Sequence, residues 1–158
     1  KKSAQQYSSA GEVEAMKATL PDALLEQSAA ALMTREVQTL KSGDSVIDTL
    51  HRLNKDRHSF YPVADEDEKL LGVLPRETFY DHVQITGLVE GASIGDLPLS
   101  DIPRVGPETR ISDCLETVIR GGSNKLLVTD DAEHLVGILT VRDVMTAAVD
   151  AGKPHDEA

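Results

Sequence analysis

Hydrophobic and polar positions follow a pattern that occurs twice along the chain. Residues 126–144 contain two short apolar runs separated by a polar turn, followed by the start of a helix. When the sequence is shifted back by 65 positions, this stretch falls on residues 61–79 without a gap. Six pairs match, namely Val63 with Val128, Asp65 with Asp130, Glu68 with Glu133, Leu70 with Leu135, Gly72 with Gly137 and Leu74 with Leu139. Because internal repetition decides the architecture, we predict an α/β (α+β) fold made of two tandem βαββα repeats.

In the first repeat, strand and helix periodicities predict strands over residues 37–40, 57–64 and 70–74. A helix is predicted between the first two strands, and either Asp44 or Ser45 is placed to cap it. Its apolar positions recur at helical spacing and should face the core; they are Val46, Leu50 and Leu53. Pro75 is expected to begin the last helix of this repeat, which runs to about Val83.

The second repeat follows the same plan, with strands predicted over residues 102–105, 125–129 and 135–139. A helix over residues 110–120 should end at the Gly121-Gly122 pair, and the last helix should begin at Thr140. The inward face of the first of these helices is predicted to hold Ile111, Cys114, Leu115 and Val118. Each repeat alone would leave one sheet face bare, so we expect the two repeats to pack face to face with pseudo-two-fold symmetry.

The remaining segments are predicted to be less ordered. The polar leader over residues 1–19 is expected to fray, with a weak helix from Glu12. Pro21 suits the first position of a helix that runs to Leu32, with Leu24, Leu25 and Ala29 facing inward. Three glycines spaced four residues apart, Gly87, Gly91 and Gly95, indicate a flexible connector. The predicted organisation is a leader and helix (1–32), a first repeat (33–84), a linker (85–101), a second repeat (102–151) and a flexible tail (152–158).

Composition and charge narrow the classes of partner. The chain has 158 residues, 40% of them hydrophobic, and a net charge of −11. Such a chain is repelled by phosphate backbones and anionic lipid surfaces, so we expect neither nucleic acid nor membrane as a partner. No apolar run approaches the roughly 20 residues of a membrane helix, and the first residues do not have the charged-then-apolar pattern expected of a signal peptide. The single cysteine, Cys114, fits a reducing compartment and is more readily explained as a core thiol than as a reactive one.

An enzyme is not indicated by any motif. The five histidines show neither i, i+4 pairing nor proximity to Cys114, so no zinc site can be assembled. The acidic turn over residues 65–69 lacks the glycine and the bidentate glutamate of a calcium loop. The sequence also lacks a nucleophile elbow, a phosphate-binding P-loop and a dinucleotide-binding glycine motif. We therefore predict no catalytic residues and no metal ligands.

The residues that carry a family resemblance lie at the end of each repeat. The string Gly137-Ile-Leu-Thr140-Val-Arg-Asp143 and the strands ending in Pro62-Val63 and Leu127-Val128 resemble the CBS motif, named after cystathionine-β-synthase. Two such motifs in tandem resemble a CBS pair, or Bateman module. The resemblance implies an adenosine-binding signature at Gly137, Thr140 and Asp143.

The residue types in this signature suit a sugar or a phosphate. Gly137 permits close approach of a ligand or of a neighbouring backbone. Thr140 stands where a strand becomes a helix, and free N–H groups there attract a phosphate. Asp143 has acceptors for both hydroxyls of a ribose. The alternative is purely structural, because Thr140-x-x-Asp143 also approximates an N-terminal capping box.

The first repeat departs from this signature. Pro75 and Thr78 stand where the second repeat has Thr140 and Asp143, which removes a backbone donor and a carboxylate. We therefore expect one functional nucleotide site. By resemblance, the acid of one motif is met by residues of the other motif, which here are Thr39, His58, Ser59 and Phe60. Ser59 would bond a ribose or phosphate, and His58 or Phe60 would stack on a purine.

The function implied by the resemblance is regulatory. The expected ligand is an adenosine-containing small molecule, either an adenine nucleotide (ATP, ADP or AMP) or S-adenosylmethionine, in the cleft between the repeats. The resemblance also implies a cytoplasmic homodimer formed through residues 76–83 and 141–149, and a parent or partner effector such as a transporter, channel or enzyme. Residues 21–34 are similar to the lead-in of chloride channel and transporter domains. The alternative is a ligand-free scaffold that only dimerises its parent.

Overall fold

The structure is a computed structural model that describes residues 4–53, 56, 58–86 and 91–152. The chain divides into two compact units. We call the first the N-repeat unit; it comprises the described part of residues 37–101 and 131–135. We call the second the C-repeat unit; it comprises the described part of residues 1–36, 102–130 and 136–158. The predicted tail from residue 153 onward, like Arg57 and Gly87, lies outside the described residues.

Both repeats have the predicted order of elements. The strands are β1 (Leu40–Lys41), β2 (Phe60–Ala64), β3 (Leu70–Pro75), β4 (Arg104–Val105), β5 (Lys125–Thr129) and β6 (Leu135–Thr140). The helices are α1 (Ala4–Thr19), α2 (Asp22–Leu25), α3 (Ala29–Leu32), α4 (Val46–Arg52), α5 (Arg76–Thr86), α6 (Ile111–Arg120) and α7 (Val141–Gly152). The order β1-α4-β2-β3-α5 is repeated as β4-α6-β5-β6-α7, which confirms the tandem βαββα architecture.

The N-repeat unit is built on a three-stranded sheet with the order β1-β2-β3. Strand β1 runs parallel to β2 with Leu40 opposite Val63, and β2 runs antiparallel to β3. Ser45 caps α4, because its side chain accepts a hydrogen bond from the Asp48 N–H, so Ser45 is the capping residue of the two predicted. The sheet and α4 bury a common core of Leu40, Val46, Leu53, Tyr61, Val63, Leu74, Phe79, Ile94 and Leu97.

The C-repeat unit contains the corresponding sheet with the order β4-β5-β6. Val105 lies opposite Val128 in parallel strands, which is the Leu40–Val63 pair shifted by 65 positions. The predicted inward face of α6 is confirmed, since its four residues are all buried, namely Ile111, Cys114, Leu115 and Val118. Helix α6 also ends as predicted, with Gly121 at the C-cap and Gly122 at a φ of +68°.

The hairpin turns of the two repeats share an unusual backbone conformation. Glu68 and Glu133, which are 65 positions apart, both have a φ of +68°. A left-handed conformation costs an L-residue roughly 1–2 kcal/mol, so the surrounding turn must hold it. In the N-repeat unit the Asp65 carboxylate does so by accepting hydrogen bonds from the N–H groups of Asp67 and Lys69 at 2.8 and 3.0 Å. The repeat therefore extends to the backbone of its turns.

The segment that precedes each repeat packs on the last strand of the other repeat. Thr34, just before the first repeat, exchanges two backbone hydrogen bonds of 2.8 and 2.9 Å with Ile138 in β6. Ser100, just before the second repeat, does the same with Val73 in β3 at 2.8 and 2.9 Å. Each contact lies within a single unit, so the lead-in segments complete the sheets of the opposite repeats.

Glycine makes these close approaches possible. A Cβ at Gly137 would lie 2.5 Å from the Met33 sulfur and 2.9 Å from the Thr34 carbonyl oxygen. A Cβ at Gly72 would lie 2.9 Å from the Ser100 carbonyl oxygen. Real Cβ atoms do not tolerate such distances, and a backbone oxygen cannot move aside as a flexible side chain can. Both glycines of the repeated motif therefore have a packing role.

Several predictions at the N-terminus were wrong. The leader is a continuous helix, α1, from Ala4, and Val13 within it is only 2% exposed. Lys17 binds Glu116 of α6 at 2.6 Å, so α1 is held by a partner that is far away in the sequence. The single predicted helix over residues 21–32 is instead split into α2 and α3, with Pro21 at the N-cap position. At the split, the carbonyl of Gln27 accepts the Ile111 N–H at 2.8 Å, and the N–H groups of Ala29 and Ala30 donate to the carbonyls of Thr109 and Pro107.

Other boundaries also changed. The predicted strand over residues 37–40 is reduced to β1 at Leu40–Lys41, and Pro75 ends β3 where a helix start was predicted. Residues 91–101 are not a flexible connector: a 3-10 helix over Ile94–Asp96 buries Ile94 completely. Backbone bonds to the loop before α4 hold this segment, including Gly95 N–H to the Ser42 carbonyl at 2.8 Å.

Replacing Gly137 by alanine tests the packing role. We expect Gly137→Ala to destabilise the protein by about 1–3 kcal/mol, because the added methyl group forces Met33 and Thr34 away from β6. The control is Gly43→Ala, where the nearest atom to the new Cβ is a Glu66 carboxylate oxygen at 3.9 Å. Urea unfolding midpoints measure both effects. Equal midpoints for the two variants would contradict the packing role.

Candidate functional site

The predicted signature residues meet where β6 ends and α7 begins. Thr140 is the last residue of β6 and the residue before α7, and Asp143 lies in the first turn of the helix. The Thr140 N–H donates to Asp143 Oδ2 at 2.9 Å, and the Asp143 N–H donates to Thr140 Oγ1 at 3.0 Å. This reciprocal pair is a capping box, so the structural alternative considered for these residues is present.

Most of the free N–H groups at the start of α7 are used within the chain. Besides Thr140 and Asp143, Val141 donates its N–H to the Asn124 carbonyl at 3.1 Å. A helix leaves four backbone N–H groups unpaired in its first turn, and three of them are thus occupied. The Arg142 N–H is the fourth, so this helix start has less capacity for a phosphate than its sequence suggests.

The Asp143 carboxylate keeps capacity for a ligand. Its Oδ2 atom accepts the Thr140 N–H, but an ionised carboxylate has about four lone-pair positions on two oxygens. The side chain is half-buried, and the capping box fixes its orientation. A carboxylate held in one orientation binds two neighbouring hydroxyls at a lower entropic cost than a mobile one.

Gly137 contributes to this site through packing. The residue is buried, and the space in front of its Cα is filled by Met33 and Thr34. Of the two partners considered for Gly137, a ligand or a neighbouring backbone, the structure contains the second. Thr34 itself is exposed, and it pairs with Ile138 of β6 through two backbone hydrogen bonds. Sequence reasoning missed both residues, because only the fold brings them to β6.

Asn124 is a further residue that sequence reasoning missed. Its carbonyl accepts the Val141 N–H, and its side-chain oxygen accepts a hydrogen bond from Lys125 Nζ at 3.0 Å. The 65-residue shift could have identified it, since it places Asn124 on Ser59, which was predicted. In the N-repeat unit the Ser59 carbonyl accepts the Arg76 N–H at 2.9 Å, and this bond corresponds to the one between Asn124 and Val141.

The other predicted residues lie in the N-repeat unit. Ser59 is exposed and Phe60 is half-buried, whereas Tyr61 is 1% exposed, so Tyr61 is the core member of this aromatic pair. Thr39 lies just before β1, and its hydroxyl donates to the Val37 carbonyl at 3.3 Å. In this unit Pro75 and Thr78 replace the capping-box residues, as the sequence predicted.

His58 is held by a neighbouring carboxylate. Asp56 Oδ1 accepts the His58 backbone N–H at 2.9 Å and also contacts the ring Nδ1. The hydrogen bond from the His58 side chain is the main cause that lowers the pKa of Asp56. The His58 ring also lies 6.0 Å from the Tyr61 ring. Burial, followed by the charge of Asp56, raises the pKa of Tyr61 to about 12.

The predicted ligand residues therefore form two groups. Gly137, Thr140 and Asp143 belong to the C-repeat unit. The other group, Thr39, His58, Ser59 and Phe60, belongs to the N-repeat unit. Joint contact of both groups with one ligand stays a prediction.

Cys114 lies against a small apolar cavity of the C-repeat unit. The cavity has a volume of about 10 Å³ and is lined by Cys114, Leu115, Val118, Leu126, Leu139, Thr140, Val141 and Val144. This volume is at the lower limit for one water molecule. Cys114 is 1% exposed, and burial, followed by the charge of Asp113, raises its pKa to about 11. Its predicted role as a core thiol is confirmed by this position.

A comparison with models of known families identifies the family of this chain. The family model described as "CBS domain" matches residues 29–84 and again residues 94–150. The chain belongs to the CBS-domain family. The two matched segments correspond to the two repeats, so this CBS pair has the tandem organisation that the 65-residue period predicted.

Solved structures share the fold of this CBS pair. The CBS domain of a bacterial CNNM/CorC family Mg²⁺ transporter matches with a TM-score of 0.66 and 21% identity, covering 98% of this chain and 99% of that one. CBSX2, solved in complex with AMP, matches with a TM-score of 0.64 and 25% identity, covering 80% of this chain and 99% of that one.

Curated relatives are longer proteins. The gamma subunit of the 5'-AMP-activated protein kinase of Saccharomyces cerevisiae is 28% identical over an alignment of 113 residues, and the match covers 63% of this chain and 33% of that protein. The zinc metalloprotease Rip3 of Mycobacterium tuberculosis, named as putative, is 30% identical over an alignment of 115 residues, and the match covers 71% of this chain and 29% of that protein. The CBS pair thus spans about a third of these relatives. Within the described residues, no helix is both long and apolar enough to cross a membrane.

The capping box predicts non-additive stability effects. Asp143→Ala should lower stability by about 1 kcal/mol, because it leaves the Thr140 N–H without its acceptor. Thr140→Ala should have a similar effect. The double variant should cost less than the sum of the two, since both changes break one reciprocal pair. Unfolding midpoints in urea measure this, and strictly additive losses would show that the two residues act independently.

Burial of Cys114 predicts a slow thiol. At pH 8 we expect the folded protein to react with a thiol reagent about 100-fold more slowly than the urea-unfolded chain, because the raised pKa leaves far less thiolate. The rate should increase as the pH rises towards 11, since the thiol ionises there. Absorbance-monitored thiol titration in both states gives the ratio. Comparable rates in the two states would contradict the burial of this side chain.

Proposed function

We propose that this CBS pair is a regulatory module that binds an adenosine-containing ligand through the carboxylate of Asp143. The observation that carries the proposal is the capping box, which fixes the carboxylate while leaving acceptor positions free. Two relationships support it: CBSX2 was solved with AMP, and a relative is a subunit of an AMP-activated kinase. The ligand class is therefore an adenine nucleotide, with S-adenosylmethionine as a further adenosine compound.

In this proposal the sugar is the main recognition element. The two hydroxyls of a ribose donate to the carboxylate oxygens of Asp143, a charge-assisted contact that is about twice as strong as a neutral hydrogen bond. The phosphates depend less on the helix start, because most N–H groups there are occupied. Lys125 and Arg142 are the nearest cationic side chains in sequence that would balance phosphate charge.

Regulation follows from the dual use of one side chain. Asp143 caps α7 in the free protein and accepts the sugar in the complex, so ligand binding and the start of α7 are linked. A ligand can shift a conformational equilibrium only by its differential affinity for the two states. The proposed effector is an attached or associated transporter, channel or enzyme. Dimerisation through α5 and α7 is part of the proposal, and Val149 of α7 is 61% exposed.

A second candidate function is a ligand-free dimerisation scaffold. Two observations favour it: Pro75 and Thr78 replace the signature in the first repeat, and the capping box provides a sufficient structural reason for Thr140 and Asp143. This role needs no ligand contact at all.

Ligand titration separates the two functions. We expect adenosine, AMP, ADP, ATP or S-adenosylmethionine to raise the melting temperature of the wild type. At a ligand concentration of 100 times Kd, the free energy of unfolding should rise by about 2.7 kcal/mol. Asp143→Asn should abolish this rise while retaining an acceptor oxygen for the Thr140 N–H. The matched control is Asp96→Asn, which alters the capping box formed by Ser93 and Asp96. This control should bind as the wild type does.

Two outcomes would count against the nucleotide proposal. If no adenosine compound shifts the melting temperature, the scaffold function is favoured. If Asp143→Asn binds as well as the wild type, the ligand is held by other residues. Isothermal titration calorimetry on the same variants gives the affinities directly.

A further inference from the structure

Helix α1 is attached to the rest of the C-repeat unit through side chains. The helix packs against α6. The inward-facing residues at its C-terminal end recur at the i, i+3, i+4 and i+7 spacing of one helix face, and they are Val13, Met16, Lys17 and Leu20. Over the described residues 13–19, no backbone hydrogen bond joins α1 to another element. This part of α1 is therefore held in place by side-chain burial and an ion pair.

The segment that follows α1 is attached in a different way. The Ala29 N–H donates to the Thr109 carbonyl at 2.8 Å, and the Gln27 carbonyl accepts the Ile111 N–H at 2.8 Å. Pro21, which has no N–H group, stands between α1 and this segment at the start of α2. If α1 moved about a hinge at this proline, the backbone bonds of the later segment would stay intact.

The sequence of α1 gives the helix little stability of its own. The helix has 16 residues, and isolated helices of about 12–15 residues are marginal in water even when they are rich in alanine. Several of its positions have residue types of lower helix propensity than alanine, namely Ser8, Ser9, Gly11 and Thr19. Docking on α6 is therefore needed to keep the segment helical, so α1 should unfold when it leaves α6.

The contact between α1 and α6 has few components. Lys17 Nζ lies 2.6 Å from Glu116 Oε2, and these two side chains are 20% and 37% exposed. Because both charges are partly shielded from solvent, their attraction is screened less than that of a fully exposed pair. Val13 is 2% exposed, and Met16 is half-buried. Separation of α1 from α6 thus breaks the burial of a few side chains and one ion pair.

We propose that α1 is a releasable strap, which leaves α6 and unfolds while the rest of the C-repeat unit stays folded, and that the Lys17–Glu116 ion pair is its latch. Opening of the strap breaks far fewer contacts than unfolding of the unit, so the open form should be populated more often than the unfolded one. In the open form the face of α6 that α1 covers becomes accessible. This inference does not depend on ligand binding at Asp143.

Native-state hydrogen exchange of the whole chain tests the strap, at urea concentrations below the unfolding transition. We expect the equilibrium constant for opening at the amides of α1 to exceed that at the amides of α6 by about 100-fold or more. Urea should hardly change the constant for α1, because a local opening exposes little surface, whereas the constant for α6 should rise steeply with urea. Equal constants with the same dependence on urea would show that α1 opens only with the whole unit and would overturn the proposal.

Substitutions of the ion pair test the latch in the same experiment. Lys17→Met removes the charge but retains an apolar stem, and it should raise the opening constant of α1 about threefold. Glu116→Gln should have a similar effect. The charge-reversed double variant, Lys17→Glu with Glu116→Lys, should return the constant close to the wild-type value. Added sodium chloride should raise the constant in the wild type but not in Lys17→Met, since only the wild type has an attraction to screen.

The matched control is Glu108→Gln. It removes the same charge as Glu116→Gln from an exposed position of the same unit, so it should leave the opening constant of α1 unchanged. An effect of Glu108→Gln as large as that of Glu116→Gln would show that overall charge, rather than the ion pair, controls the opening. Failure of the charge-reversed variant to restore the wild-type constant would likewise exclude the ion pair as the latch.

Discussion

The structure depends on the close approach of a lead-in segment to a glycine in the last strand of each sheet. At Gly137 the chain that precedes the first repeat lies against β6, and at Gly72 the chain that precedes the second repeat lies against β3. Each contact is reinforced by a pair of backbone hydrogen bonds. The polypeptide consequently passes from one unit to the other and back, at positions 36, 101, 130 and 135, and neither unit can be cut from the chain as one continuous segment.

The contact of the lead-in segment with β6 also limits which residues of the C-repeat unit can hold a ligand. Gly137 appears in a signature associated with adenosine, yet its open side is filled by Met33 and Thr34. The residues left to hold a ligand at the end of β6 are Thr140 and Asp143, which already bond to one another. The site therefore has a capped helix start in which a carboxylate is oriented before any ligand arrives. Preorganisation of this kind lowers the entropic cost of binding a ligand.

The two units have their carboxylates at different positions of the repeat, because Thr78 corresponds to Asp143 and Gly121 corresponds to Asp56. In the C-repeat unit the carboxylate of Asp143 accepts the Thr140 N–H at 2.9 Å. In the N-repeat unit the carboxylate of Asp56 is paired with the imidazole of His58. The duplicated motif has thus diverged, with a helix-capping carboxylate in one unit and a carboxylate paired with a histidine in the other.

Much of this CBS pair was determined by local sequence. The 65-residue period specified the number of repeats and the order of their elements, and helical spacing specified the buried face of α6. The cap of α4, predicted at Asp44 or Ser45, and the glycine stop of α6 could also be predicted, because caps and turns depend on a few neighbouring residues. Only the tertiary structure decided that Met33 fills the space at Gly137, that α1 is a helix docked on α6, and that the backbone near Gln27 bonds the segment before α6 where the sequence predicted a continuous helix. These features depend on partners about 80 to 100 residues away in sequence, as the pair Lys17 and Glu116 shows, and hydrophobic periodicity carries no information about such partners.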